Sequence, residues 1–183
     1  MKNTAVALVA FMFASVLSFA QNNESQESIK YSNITEFGFF TASPRSFSFE
    51  ATTVQGFSFD KQHCIGLGIG IGTNTCVSYQ YGDATTYMPV FVNYRFYFKP
   101  DRKRSPHFNV ALGGVVIDEG GGFYSALTSG FRAGKFSFSS GLSFMAVLRH
   151  EVGGYYEWGG YHEFDTYDWH FPFGIVLKCG FTF

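Results

Sequence analysis

The stretch FPFGIVLKCGFTF, residues 171–183, decides the fold. Phe171, Phe173, Ile175, Leu177, Cys179, Phe181 and Phe183 alternate with Pro172, Gly174, Val176, Lys178, Gly180 and Thr182. A period of two belongs to an extended strand, whose successive side chains point to opposite faces. One face here is apolar and bulky; the other is small or polar. Such a strand suits a wall between lipid outside and a narrow, polar interior.

Working back toward the N-terminus, the same period recurs in seven further runs: 34–41, 46–59, 63–73, 88–98, 107–118, 123–133 and 136–149, with the last run spanning 169–183. These are about the length a tilted spanning strand needs, ~9 to 11 residues. Their outward sets include Phe37 and Phe39, Phe57 and Phe59, Ile65 to Ile71 at alternate positions, Phe96 and Phe98, Phe108 and Leu112, Leu127 and Phe131, and Phe136 and Phe138. The second run is the weakest, because Ala51, Thr53 and Gln55 fall on its outward side. Eight such runs predict an all-β chain, an eight-stranded antiparallel transmembrane β-barrel with both termini on one side. The connections alternate in length accordingly. Turns at 60–62, 99–105 and 134–135 would lie on the periplasmic side, with loops at 42–45, 74–87, 119–122 and 150–168 outside. No helical periodicity, heptad repeat or second domain is visible.

Lys2 precedes an uncharged stretch from 3 to 20 that closes on Ser18, Phe19 and Ala20. This predicts a cleaved signal peptide over 1–20, since the apolar part is shorter than the ~20 residues of a spanning helix. Residues 21–33 are polar and read as a periplasmic tail, leaving 34–183 as the barrel. Aromatic residues make up 20% of the chain and charged residues only 15%, so aromatic surface has to go somewhere other than water. Girdles at two membrane interfaces would absorb it. A net charge of −1 argues against nucleic acid as a partner. The mean hydropathy of +0.03 is what two averaged faces give. Of the three cysteines, Cys64 falls inward, Cys179 outward and Cys76 in a loop, so no bridge is favoured and each serves as a small apolar filler.

The exported start, the eight strands, the alternation of short turns with long loops and the terminal Phe183 resemble the small outer-membrane barrels of the OmpA and OmpX type. More closely, the run 56–72, the strand 89–98, the 120–123 turn and the 179–183 ending are similar to the uncharacterised porin-family outer-membrane barrels of Bacteroides-like bacteria. The resemblance covers nearly all of the mature chain, and it is one of pattern more than of motif. It implies the outer membrane of a Gram-negative bacterium, contact with outer-membrane lipid and lipopolysaccharide, and a monomer. It also implies that Phe181 and Phe183 form an assembly signal read by the barrel assembly machinery. A fold of this kind implies little about function.

Five charges fall at inward positions: Glu36, Glu50, Arg95, Arg132 and Lys178. An eight-stranded barrel is just wide enough for side chains to fill, so these charges should meet one another rather than line a channel. The first and last strands must pair, which predicts Glu36 with Lys178, and Arg95 and Arg132 shared with Glu50. Alternate glycines at 66, 68, 70 and 72 lack the following helix of a nucleotide loop and are read as clearance for bulky inward neighbours. The 150–168 loop interleaves Tyr155, Tyr156, Trp158, Tyr161 and Phe164 with acidic residues, the composition of a recognition surface on a rigid scaffold. His162, Glu163, Asp165, Asp168 and His170 are metal-binding residue types, but their spacing matches no strong signature, and neither a metal nor a cofactor is expected. Lipid-modifying barrels use a histidine with a serine; here no histidine is expected to have a serine two positions away on its own face, so no catalytic residue is assigned. The expected function is non-catalytic: a filled barrel displaying outer loops for envelope maintenance or for binding an extracellular glycan or protein. The alternatives are a lipid A modifying enzyme, as an acyl hydrolase or transferase, and a narrow pore.

Overall fold

A computed structural model describes residues 29–43, 46–75, 85–117, 120–157 and 160–183, with backbone alone at 42–43, 46 and 151–165. The strands are β1 (Ile29–Ser43), β2 (Ser46–Phe59), β3 (His63–Asn74), β4 (Thr85–Tyr97), β5 (Arg104–Ile117), β6 (Gly120–Ala133), β7 (Phe136–Glu157), β8 (Gly160–His170) and β9 (Phe173–Thr182). Strands β1 to β7 pair antiparallel with their chain neighbours. Strand β9 closes the sheet, with Thr182 opposite Ile34 on β1 and Phe181 opposite Phe136 on β7. The result is a closed, eight-stranded antiparallel barrel, and no helix occurs among the described residues. Closure leaves the wall no open edge.

Inside and outside follow the alternation. Phe37, Leu67 and Phe136 on the outward faces are 66%, 68% and 67% exposed. The inward Glu36, Arg95 and Lys178 are buried to 3%, 0% and 3%. The polarity of a water-soluble barrel is therefore inverted. At the lower end, where β1 starts and β9 finishes, Gly134 takes a φ of 63° at the first position of a two-residue hairpin, a conformation that favours glycine. Asp60 and Lys61 also have positive φ, in the turn closed by Gln62 N–H donating to Phe59 O at 3.1 Å.

Several strand limits differ from the sequence pattern. Strand β1 begins at Ile29, inside the stretch read as a polar tail, because Ile29 to Asn33 pair with Phe59 to Gln55 of β2. Strands β4, β5 and β6 each start three residues earlier than expected. The Gly120, Gly121 and Gly122 start of β6 shows no alternation in sequence, yet it pairs with Ile117 to Val115 and Arg149 to Val147. The largest difference is the expected outer loop 150–168. Residues up to Glu157 continue β7, and β8 returns against them from Gly160, forming a ribbon above the barrel. Strand β8 leads into β9 through Phe171 and Pro172; proline lacks a backbone donor, and its carbonyl accepts from Met145 N–H at 2.9 Å. The expected signal peptide, the tail up to residue 28, Cys76 and the connection 76–84 lie outside the described residues.

Candidate functional site: the filled lumen and the outer ribbon

Two ion pairs cross the lumen, and they are not the pairs the strand order suggested. Arg95 Nη2 donates to Glu36 Oε1 at 2.5 Å, and Lys178 Nζ donates to Glu50 Oε1 at 2.9 Å. The expected pairing of Glu36 with Lys178 fails on register: Lys178 lies opposite Gly38 of β1, and Glu36 lies opposite Gly180 of β9. On its other side, Gly38 faces Glu50 of β2. A glycine between them leaves a gap through which the lysine stem reaches the carboxylate.

The same device operates on the other flank of Glu50. Its β3 neighbour is Gly72, whose β4 neighbour is Tyr87. A Cβ at Gly72 would collide with the Tyr87 ring. Over that bare backbone, Tyr87 O–H donates to Glu50 Oε2 at 3.1 Å, while Ser48 Oγ lies 3.0 Å from the Tyr87 oxygen. From across the lumen, Tyr124 O–H donates to Glu50 Oε1 at 3.1 Å, and Lys178 Nζ lies 3.4 Å from the same hydroxyl oxygen. Glu50 thus accepts three hydrogen bonds, one of them from a cation, which is what a buried carboxylate requires. Phe91, packed over Gly68, tilts against the Tyr124 ring with centroids 5.4 Å apart. Together these side chains close the upper lumen. The glycines at 68 and 72 supply the clearance expected of them.

Arg132 is absent from this network. It points into the lower mouth, where its guanidinium lies 4.3 Å from the Tyr97 ring centroid and Nη2 donates to Pro100 O at 3.3 Å. The expected sharing of Glu50 by Arg95 and Arg132 is therefore corrected: Arg95 serves Glu36 and bonds Asn109 Oδ1 at 3.4 Å through Nε, and Arg132 holds the β4–β5 connection over the mouth.

His107 is 1% exposed, and its ring lies tilted against Tyr97 with centroids 5.7 Å apart. Ser105, two residues earlier, is also buried on the inward face of β5. The expectation that no histidine would have a serine two positions away on its own face is thus wrong for His107. The pair still does not form a nucleophile and base, since Ser105 Oγ donates to Pro106 O at 3.4 Å and neither His107 nitrogen has a hydrogen-bond partner. Both also face the lumen rather than the outer wall. His63, at the foot of β3, bonds the Tyr94 hydroxyl at 2.8 Å.

Tyr87, Tyr124, Ser48 and Asn109 belong to the interior network and were not singled out from the sequence. Parity alone placed Tyr124 and His107 inward; Tyr87 fell just outside the expected β4. For Tyr87 and Ser48 the signal available was a hydroxyl at an inward position of a strand already carrying a buried charge, Arg95 on β4 and Glu50 on β2.

At the upper end, the ribbon sets Tyr155 opposite His162, Tyr156 opposite Tyr161 and Gly153 opposite Phe164. Tyr155, Tyr156, Tyr161 and Phe164, expected to bind, are thereby brought into one antiparallel hairpin; Trp158 and the side chains of 151–165 lie outside the described residues. Below them Trp169 stacks on Phe171, with centroids 6.0 Å apart, and Phe171 on Phe144 at 6.5 Å. Among the described residues no three His, Cys, Asp or Glu side chains gather at a metal-sized site. Phe181 and Phe183 pack edge to face at 4.6 Å at the foot of β9. Cys64 and Cys179 are free, one buried in the lumen and one exposed on the outer wall.

No protein-family model matches this chain, and no curated protein aligns with it significantly.

Proposed function

We propose that this chain is a non-catalytic outer-membrane protein of a Gram-negative bacterium, spanning the bilayer as a monomeric barrel and presenting the β7–β8 ribbon outside the cell for recognition of a glycan or protein, or for envelope maintenance. The inverted polarity of the barrel carries this reading. Large apolar side chains cover the outer wall on every strand, while carboxylates, a guanidinium and an ammonium are sealed inside. In water that arrangement exposes far more apolar surface than a soluble monomer tolerates. In a bilayer it supplies a lipid-facing band, and closure satisfies the backbone. The foot of β9, with Phe181 and Phe183, is then the segment offered to the assembly machinery.

The filled upper lumen favours a scaffold over a pore, and among the described residues the ribbon is the one element that projects beyond the barrel. Its register concentrates tyrosines and acidic residues on a hairpin anchored by continuous β structure, which suits a binding surface. Detergent dependence tests the membrane assignment: the purified chain should aggregate without detergent, and a soluble monodisperse protein would overturn it. Deleting residues 152–166 tests the ribbon: binding to glycan arrays, host cells or extracted envelope proteins should be lost while the barrel still folds. Unchanged binding would refute recognition through this element.

A further inference from the structure

Charge is divided between the two ends of the barrel. The lower end, with the strand termini and the 60–62, 98–103 and 134–135 turns, carries eight basic residues and two acidic ones. Among the described residues, the upper end carries five acidic residues, Glu151, Glu157, Glu163, Asp165 and Asp168, and one basic, Arg149. The near-neutral total conceals this separation.

The lower cations concentrate around one point. Lys99, Arg102, Lys103 and Arg104 occupy four of six consecutive positions and are all exposed. Asp101, among them, is taken by Lys61 at 3.3 Å; the other four, with Lys135, have no carboxylate partner among the described residues. The turn is held in place, because Gly134 N–H donates to Lys103 O at 3.3 Å and Arg102 N–H to Lys99 O at 3.2 Å. Arg104 has the same parity on β5 as the outward Pro106 and Phe108, so its stem runs along the outer wall. Arg104 pairs with Ala133, and Ala133 with Phe136, so Arg104 and the turn residue Lys135 bracket the foot of β6, two strand spacings or ~10 Å apart. Lys135 Nζ lies 5.9 Å from the ring centroid of Phe181, whose neighbours on the wall are outward-facing.

We propose that Lys103, Arg104 and Lys135 form a binding site for the phosphate of an anionic phospholipid, in the leaflet that borders the strand termini. The site rests on the membrane-spanning reading. Its cations sit where the apolar wall ends and beside exposed aromatic side chains, which is headgroup depth, and a lipid whose chains lie along Phe108 and Phe136 would carry its phosphate between them. A soluble acidic partner would not require cations on the outer wall.

The test uses the full chain folded in detergent, titrated with dioleoylphosphatidylglycerol or dioleoylphosphatidylcholine and read by native mass spectrometry, alongside flotation with vesicles of each composition. Phosphatidylglycerol should be retained preferentially, with the preference falling about fivefold for each of Lys103→Gln, Arg104→Gln and Lys135→Gln, and weakened by 0.5 M salt. Circular dichroism of each variant confirms that it folds. Equal retention of the two lipids, or a preference unchanged in the triple variant, overturns the site. Displacement of the lipid by millimolar glycerol phosphate would show a site for a free phosphate and overturn it as well. Failure to float with either vesicle overturns the membrane reading itself, a result distinct from flotation without lipid preference.

Discussion

Lys178 of β9 and Glu50 of β2 form an ion pair at 2.9 Å across an intervening strand, directly over Gly38 of β1. Tyr87 of β4 reaches the same carboxylate across β3, over Gly72. Five strands thus place Lys178, Gly38, Glu50, Gly72 and Tyr87 in one row, and the two glycines convert neighbours once removed into contacts.

Breaking this row should be costly. Lys178→Met leaves Glu50 without its cation, and the loss of one partner of a buried pair costs about 3 to 5 kcal/mol. Thermal melting in detergent should show the loss. The double variant with Glu50→Gln should recover most of it, whereas adding Glu36→Gln should not; recovery with Glu36→Gln would mean that the pairing is misassigned.

The two glycines should respond differently. A Cβ at Gly38 would lie 3.5 Å from Lys178 Cγ, an ordinary contact, whereas one at Gly72 would overlap the Tyr87 ring. Gly38→Ala is expected to melt near the wild type, and Gly72→Ala to lose about 1 to 3 kcal/mol as the tyrosine is displaced. Equal melting of the two would mean that Tyr87 does not lie over Gly72.

The cysteines test whether the outer wall meets lipid. In a Cys76→Ser background reconstituted in vesicles, Cys179 should react with a membrane-soluble maleimide and resist a charged, water-soluble thiosulfonate, while Cys64 resists both until denaturation. Rapid reaction of Cys179 with the charged reagent would contradict a lipid-facing outer wall.

The ribbon should be separable from the barrel. Closure runs through Phe136 to Phe144 of β7 and Phe173 to Phe181 of β9, below the ribbon. Removing residues 152–166 should therefore change barrel stability by no more than about 0.5 kcal/mol, the range of surface changes that leave packing intact. A large drop in melting temperature would show that the ribbon buttresses the wall.

Planar bilayers address the lumen. With Phe91, Tyr124, Lys178 and Glu50 filling its upper half, the reconstituted protein should give no large, steady channels. Sustained conductance would mean that this packing opens in a membrane.

The sequence by itself determined the wall. Alternation fixed the inward and outward face of each strand, from Phe37 against Glu36 to Leu177 against Lys178, because a period of two forces side chains to opposite sides of any extended chain. The strand number and the inward charges followed from the same pattern. Register did not, because alternation is unchanged when one strand slides by two residues against the next. Only the closed barrel decided that Lys178 meets Gly38 rather than Glu36, that Arg132 stays at the mouth with Tyr97, and that Glu50 collects Lys178, Tyr87 and Tyr124. Strand limits shared the same cause: the glycines at 120–122 and the mixed acidic and aromatic residues of 150–168 carry no alternation, so the partner strand, not their own side chains, makes them extended. The alternation of turns and loops already divided the charges between the two ends; that Arg104 and Lys135 bracket the foot of β6 was settled by the strand pairing.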